Sequence, residues 1–398
     1  MRLLFVAVRS PFVGYSGNAL ILRNHLSVLH DRHEIDLIAL GCPGDAAHPD
    51  LRRWCTRVLM VPPPSAVARR LAQATGLLSG RPLRVSTYAC AALGAAATQL
   101  ARERAYDAAV VQLCEAAQFR PRVAQLPCVM DFEDPPAVKL QRTLPWLDRK
   151  ARVAAHVDLQ LMPQYEAAVA AGFDRLVFVS ASDAETFGRT HGCAGKVARI
   201  HHAVVPEAMV PGFDSREPDR VIVTGNMAHP PNVAAVNYLC RDVFPRIRQR
   251  VPGATLRLVG ANPVPEVRAW SGQAGITVTG AVPDVRAELV RSRVALCGVP
   301  VVLGAQTKVL EAMATGTPVV TTTAGNHGVD GLSGRDLHVA DDPDRVADRT
   351  VQLLRGEGWD AMSASALALV RTSFSPAHAA EALERVIAEA IGEHRSRM

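Results

Sequence analysis

Short runs of aliphatic and β-branched residues alternate with stretches of helical periodicity along almost the whole chain. The first run, residues 3–8, has no polar interruption and predicts a strand buried on both faces. The loop SPFVGYSGN follows, then a helix from about Asn18 to Leu29. Further strands are predicted at 34–40, 58–61, 108–112, 128–131 and 176–179, with a long helical region over 144–171. Pro62, Pro63 and Pro64 close the third strand, because proline has no N–H to give to a ladder.

The periodicity lapses over 201–219, where three prolines interrupt any regular pattern. A second series then begins, with strands at 220–224, 255–259, 276–279, 294–297 and 318–322 and helices at 233–250, 264–270, 285–292 and 307–314. The tail, 375–393, reads as an amphipathic helix capped by Ser375 with Pro376 as its first helical residue. Alternating strands and helices predict parallel sheets. The expected fold class is therefore α/β, with two doubly wound Rossmann-like domains facing a cleft. Residues 1–200 form the first, 201–219 the linker, 220–374 the second and 375–398 a closing helix. In such sheets ligands bind beyond the carboxyl ends of the strands.

Length agrees with two domains, since 398 residues exceed what one core serves well. Composition excludes several classes. Hydrophobic residues at 48% and charged residues at 21% leave no room for a disordered or fibrous reading. No run approaches the roughly 20 apolar residues a membrane span requires, and 3–8 is too short for a signal-peptide core. A cytoplasmic protein is expected, with peripheral contact at an inner membrane face left open. The eight cysteines are scattered without a C-x-x-C pair or zinc spacing, so free thiols and no metal are expected. The net charge of +6 admits an anionic partner, but basic residues form no dense block and no aromatic interleaving, which argues against nucleic acid. Of 44 Lys+Arg only Lys139, Lys150, Lys196 and Lys308 are lysine.

Lys308 lies in the most informative segment, GAQTKVLEAMATGTPVV, from Gly304 to Val320. It reads as loop, helix N-terminus, helix, glycine stop and buried strand. Free N–H groups near Gly304, Ala305, Gln306 and Thr307, at the positive end of a helix dipole, make a site for a diphosphate. Lys308 adds a point charge. Glu311, one turn on, can accept both hydroxyls of a ribose. A second reading of the same residues stands beside this one: Val309, Leu310, Met313 and Ala314 as plain packing, with Lys308 and Glu311 a solvated pair.

The segment resembles the donor signature of GT-B glycosyltransferases, family 4, and is most similar to the bacterial exopolysaccharide-type sugar transferases that carry G-x-Q-x-K-x-L-E-A-M-A. Gly225-Asn226-Met227 with Pro231-Asn232 looks like the first loop of the family's second domain. Phe244-Pro245, Leu258-Val259-Gly260, Val278-Thr279-Gly280, Asp284, Leu289 and Phe374-Ser375 resemble its later landmarks. Residues 174–187 resemble the segment before its linker. The resemblance implies a GT-B fold, with the closing helix crossing back to the first domain. It also implies a hexosyl-type transferase with retention at the anomeric carbon. The donor, a UDP-, GDP- or dTDP-sugar, would be a substrate, and no cofactor is expected. Donor contacts are implied at Gly225, Asn226, His229, Ala281, Val282 and Gly304 to Thr307, with Lys308 and Glu311 at the reacting end. Many relatives carry glutamate where this chain has Leu303, which keeps a catalytically inactive partner subunit as an alternative; a GT-B-fold nucleotide-sugar epimerase, which needs no acceptor, is another.

In the first domain, Gly14 and Gly17 form a glycine turn after strand one. It is either a donor-phosphate loop or a plain connection, and G-x-G-x-x-G is absent. Asp131, at the end of a predicted buried strand, can orient or deprotonate an acceptor, or cap the helix ahead of Pro135-Pro136. Glu115 is a weaker candidate of the same kind. His201, His202, His229 and His327 read as structural, with His229 best placed for a phosphate. The expected acceptor is a polysaccharide, a lipid-linked sugar or a natural product.

Overall fold

The computed structural model describes residues 1–12, 17–204, 216–302 and 304–397. It divides into two compact units: Met1–His202 with Ala377–Met398, and Ala203–Pro376.

The first unit is built on strands β1 (Arg2–Ala7), β2 (Glu34–Leu40), β3 (Arg57–Val61), β4 (Ala108–Gln112), β5 (Cys128–Glu133), β6 (Arg175–Phe178) and β7 (Val197–Arg199). They pair in the order β3-β2-β1-β4-β5-β6-β7, all parallel. Period-two alternation sends Leu4 and Val6 to one face and Leu3, Phe5 and Ala7 to the other, and both faces are covered. The helix Pro376–Ser396 belongs to this unit and buries Ala380, Leu383, Val386, Ile387 and Ala390 in the second of these layers. That is the crossing back implied by the sequence.

The second unit holds β8 (Arg220–Thr224), β9 (Thr255–Val259), β10 (Ile276–Gly280), β11 (Val294–Cys297), β12 (Val319–Thr321) and β13 (His338–Val339). Their order is β10-β9-β8-β11-β12-β13, again all parallel. Chain order reverses between β1 and β4 in one sheet and between β8 and β11 in the other. Those two points, beyond the strands' carboxyl ends, are where a doubly wound sheet opens to a ligand.

Three expectations are corrected. The helix predicted over 233–250 is Pro230–Tyr238, a π-turn at Leu239–Val243, then Phe244–Arg250. Pro245 lacks an N–H and its ring would strike the carbonyl four residues back, so the ladder widens by one residue ahead of it. The region 144–171 does not become helical until Arg149; Asp148 caps that helix by accepting from the Ala151 N–H at 2.8 Å, and Pro145 sits in a separate short turn. Strand β5 runs on to Glu133, so Asp131 lies inside it and not past its end. The edge strands β7 and β13 were unforeseen, being three and two residues long. All eight cysteines are free thiols. No described helix is long and apolar enough to cross a membrane, and among the described residues no His, Cys, Asp and Glu cluster could hold a metal.

Candidate functional site

The second unit brings together residues that lie far apart in sequence. Strands β8, β9 and β10 are neighbours, and glycines stand at their carboxyl ends: Gly225, Gly260 and Gly280, all at positive φ. At Gly260 (φ 156°) a methyl group would fall 1.7 Å from the Gly225 carbonyl oxygen, so only glycine lets the two strand ends close up. Beside Gly225 the chain turns into the helix Pro230–Tyr238. Asn226 Oδ1 accepts from the Ala228 N–H at 3.1 Å, and Asn232 Nδ2 donates to the Asn226 carbonyl at 2.9 Å. His229 closes this turn, its N–H reaching the Asn226 carbonyl at 3.2 Å.

Asn232 then receives the Lys308 ammonium, Nζ to Oδ1 at 2.6 Å. A methyl group built on Gly225 would stand 3.4 Å from that Nζ, so the charge sits directly against the glycine backbone. Lys308 is the second residue of the helix Thr307–Ala314, whose N-cap Gln306 makes no side-chain cap bond. Gln306 instead turns Nε2 toward the Gly304 carbonyl at 3.4 Å. Gly304, at φ 68°, sets the loop's course into the helix, and Ala305 is buried behind it. One cation thus stands beside the uncapped start of a helix, an arrangement suited to an anion. Burial pushes the Glu311 carboxyl up, and the Lys308 charge opposes it.

Of the residues singled out from the sequence, Gly225, Asn226 and Lys308 therefore meet, with His229 on the same turn. Ala281 and Val282 follow β10, two strands away; Ala281 is exposed, and Val282 is half-buried against the core. Asn232 is the residue that reading missed as a contact. It was visible as the polar member of Pro231-Asn232, but its partner is 76 positions away. Leu303 lies outside the described residues.

The carboxyl ends of β4 and β5 in the first unit carry a different chemistry. Asp131 is 1% exposed. Its Oδ1 accepts from the Glu133 N–H at 3.2 Å, made possible by a break in register after Asp131 and by Glu133 at φ 64°. Its Oδ2 has no hydrogen-bond partner among the described residues and faces His25 Nδ1 at 3.5 Å. Glu133 accepts from Gln112 Nε2 at 2.9 Å, and Asp134 pairs with Lys139 at 2.7 Å. Burial pushes the Asp131 carboxyl up to about 7; the Glu133 N–H works against the shift and the Asp134 charge with it. Burial and then the Asp131 charge push Glu133 up as well. Burial lowers His25 and His202 to about 4, so both imidazoles are neutral at neutral pH. Burial thus works against ionisation at Asp131 and Glu133.

His25 escaped the sequence reading, yet it left a signal: it falls on the inner face set by Leu22, Leu26 and Leu29 of the helix Gly17–Leu29. His202 is buried and belongs to the first compact unit. Gly17 opens the helix that carries His25, while Gly14 lies outside the described residues. Glu115 is paired with Arg84 at 2.8 Å; burial alone would raise its carboxyl, and the guanidinium outweighs that and holds it below its ordinary value.

Residues 218–356 match the family described as glycosyl transferases group 1. No curated protein matches the chain. Among solved structures, the Anabaena protein Alr3699/HepE in complex with UDP and glucose is similar at a TM-score of 0.69 and 14% identity, over 98% of this chain and 99% of that one. Sucrose-phosphate synthase from Thermosynechococcus elongatus gives 0.67 and 14% over 99% and 98%. WaaG, a glycosyltransferase involved in lipopolysaccharide biosynthesis, gives 0.64 and 12% over 96% and 99%. At such identities the likeness is one of fold, and the fold is GT-B.

Proposed function

We propose that this chain transfers a sugar from a nucleotide diphosphate sugar to an acceptor hydroxyl. The observation that carries the reading is Lys308, held by Asn232 against the Gly225 strand end and beside the uncapped helix start at Thr307. The diphosphate would lie along Gly304 to Lys308, with the ribose hydroxyls on Glu311, the base along Ala281 and Val282, and His229 near the phosphates. The match of residues 218–356 to group 1 transferases covers this whole segment and supports it.

In the reaction, the bond from the anomeric carbon to the β-phosphate oxygen breaks and the electron pair leaves with the nucleoside diphosphate. Lys308 and the helix start neutralise that charge, which makes a metal unnecessary. The acceptor oxygen bonds to the anomeric carbon with retention and gives its proton to a base, the role assigned here to Asp131, whose Oδ2 accepts no hydrogen bond among the described residues. The acceptor is accordingly assigned to the first unit, where Gly17 and Asp131 lie.

The complexes of HepE with UDP make uridine diphosphate the first ligand to test. Calorimetric titration with UDP is expected to give saturable binding to the wild type, weakened at least tenfold in Lys308→Ala and in Glu311→Ala. Equal binding by all three proteins would discard the site. Incubation with a UDP-sugar alone should leave the sugar's configuration unchanged; conversion to an epimer would replace transfer with epimerisation.

A further inference from the structure

The chain leaves eight large hydrophobic side chains exposed among its described residues, and four lie on one helix of the first unit, Ala66–Leu78: Val67, Leu71, Leu77 and Leu78. They are 67%, 63%, 43% and 91% exposed. At 3.6 residues per turn, Val67, Leu71, Ala74 and Leu78 fall within about 60° of one another, a single stripe along the helix. The opposite side is the packed one. There Gly76 lies so close to Ser86 that a methyl group would stand 2.0 Å from its Oγ, and Gln73 donates to Thr87 Oγ1 at 2.8 Å. The apolar stripe therefore points outward by construction. A surface helix normally presents its polar face there.

Charge says what covers it. Residues 51–102 contain eight arginines and not one aspartate or glutamate, and among the described residues only Arg57 and Arg84 of them are drawn into ion pairs, with Glu103 and Glu115. Arg69 and Arg70 lie on this helix and are exposed. A second copy of the chain fits poorly, since a two-fold contact along the stripe would set Arg70 against its own image without a carboxylate to relieve it. We propose that the helix Ala66–Leu78 docks on an anionic phospholipid bilayer, lying in the interface with Val67, Leu71 and Leu78 among the acyl chains and Arg70, beside the stripe, at the headgroup phosphates. This inference does not depend on the sugar-transfer reading.

Co-sedimentation of the full chain with phosphatidylcholine vesicles, with and without phosphatidylglycerol, tests it. The chain is expected to sediment only with the anionic vesicles, and to be released as salt rises. Leu71→Ser/Leu78→Ser and Arg70→Glu should each lower partitioning, the leucine pair on the order of tenfold. Leu71, Leu78 and Arg70 are all solvent-facing, so the thermal transition should stay in place, which separates lost docking from lost folding. Failure of the wild type to bind anionic vesicles overturns the proposal, as does wild-type binding by both variants. A dimer seen by light scattering that the leucine pair alone abolishes, with vesicle binding intact, overturns it in favour of self-association.

Discussion

The strand ends of the two units share a topology and oppose each other in chemistry. In the second unit Asn226 and Asn232 are hydrogen-bonded and the charge against the strand end is a cation, Lys308, fixed by Asn232. In the first, three carboxyl groups share one paired cation, Lys139, and Asp131 Oδ2 and Asp134 Oδ1 are buried with no hydrogen bond among the described residues. The same α/β scaffold thus offers a preorganised positive site on one sheet and a proton-holding one on the other. A fold of this kind supplies places, and the side chains at the strand ends decide what each place can do.

The comparison breaks first at Lys308. Its replacement by alanine removes the side chain proposed to neutralise the leaving group, and kcat/KM for sugar transfer should fall about 10³-fold, with Lys308→Arg recovering part of the loss. An undiminished rate would return the site to packing. Next comes the glycine that brings β8 and β9 together. Gly260→Ala drives a methyl group into the Gly225 carbonyl, and urea unfolding should show a loss of about 3 kcal/mol or more, without a counterpart at the first unit's strand ends.

Asp131→Asn sharpens the other half. The rate should fall about 10²-fold. In the wild type, activity should rise with pH through about 7, where Asp131 loses its proton, and the variant should lack that limb. Stability carries the opposite sign. A carboxyl whose folded value lies above its ordinary 3.8 helps the fold while protonated, and that help drains away as pH rises from about 4 to 7. The variant should therefore gain on the wild type in melting temperature between pH 5 and pH 8, by about the range of one shifted carboxyl. Parallel pH profiles of the two proteins would remove Asp131 from the reaction.

Much of this was legible from residues alone. The segment 304–320 announced loop, helix and stop, and Gly316 does end the helix at φ 68°. Apart from the short edge strands β7 and β13, the strands of both sheets stood out because buried parallel strands are continuous apolar runs. Lysine scarcity carried information too: Lys308 grips Asn232, Lys139 grips Asp134, and Lys196 caps the helix Arg149–Gly172 through the Ala170 and Phe173 carbonyls. Pairings over long sequence distance were not legible. Asn232 with Lys308 and His25 with Asp131 exist only once the sheets have formed. The break in β5 was hidden as well, since no local pattern marks Glu133 for positive φ.

The helix Pro376–Ser396 has a consequence for how the chain comes to be folded. The second unit is a continuous stretch whose ends lie side by side, the Val204 N–H bonded to the Phe374 carbonyl at 2.8 Å. It can close as soon as it has been synthesised. The first unit, begun earlier, must wait for the last helix to cover Leu26, Leu29 and the rest of that layer. During translation the older half of the chain is the unfinished one, with a greasy face awaiting its lid while the younger half is already complete.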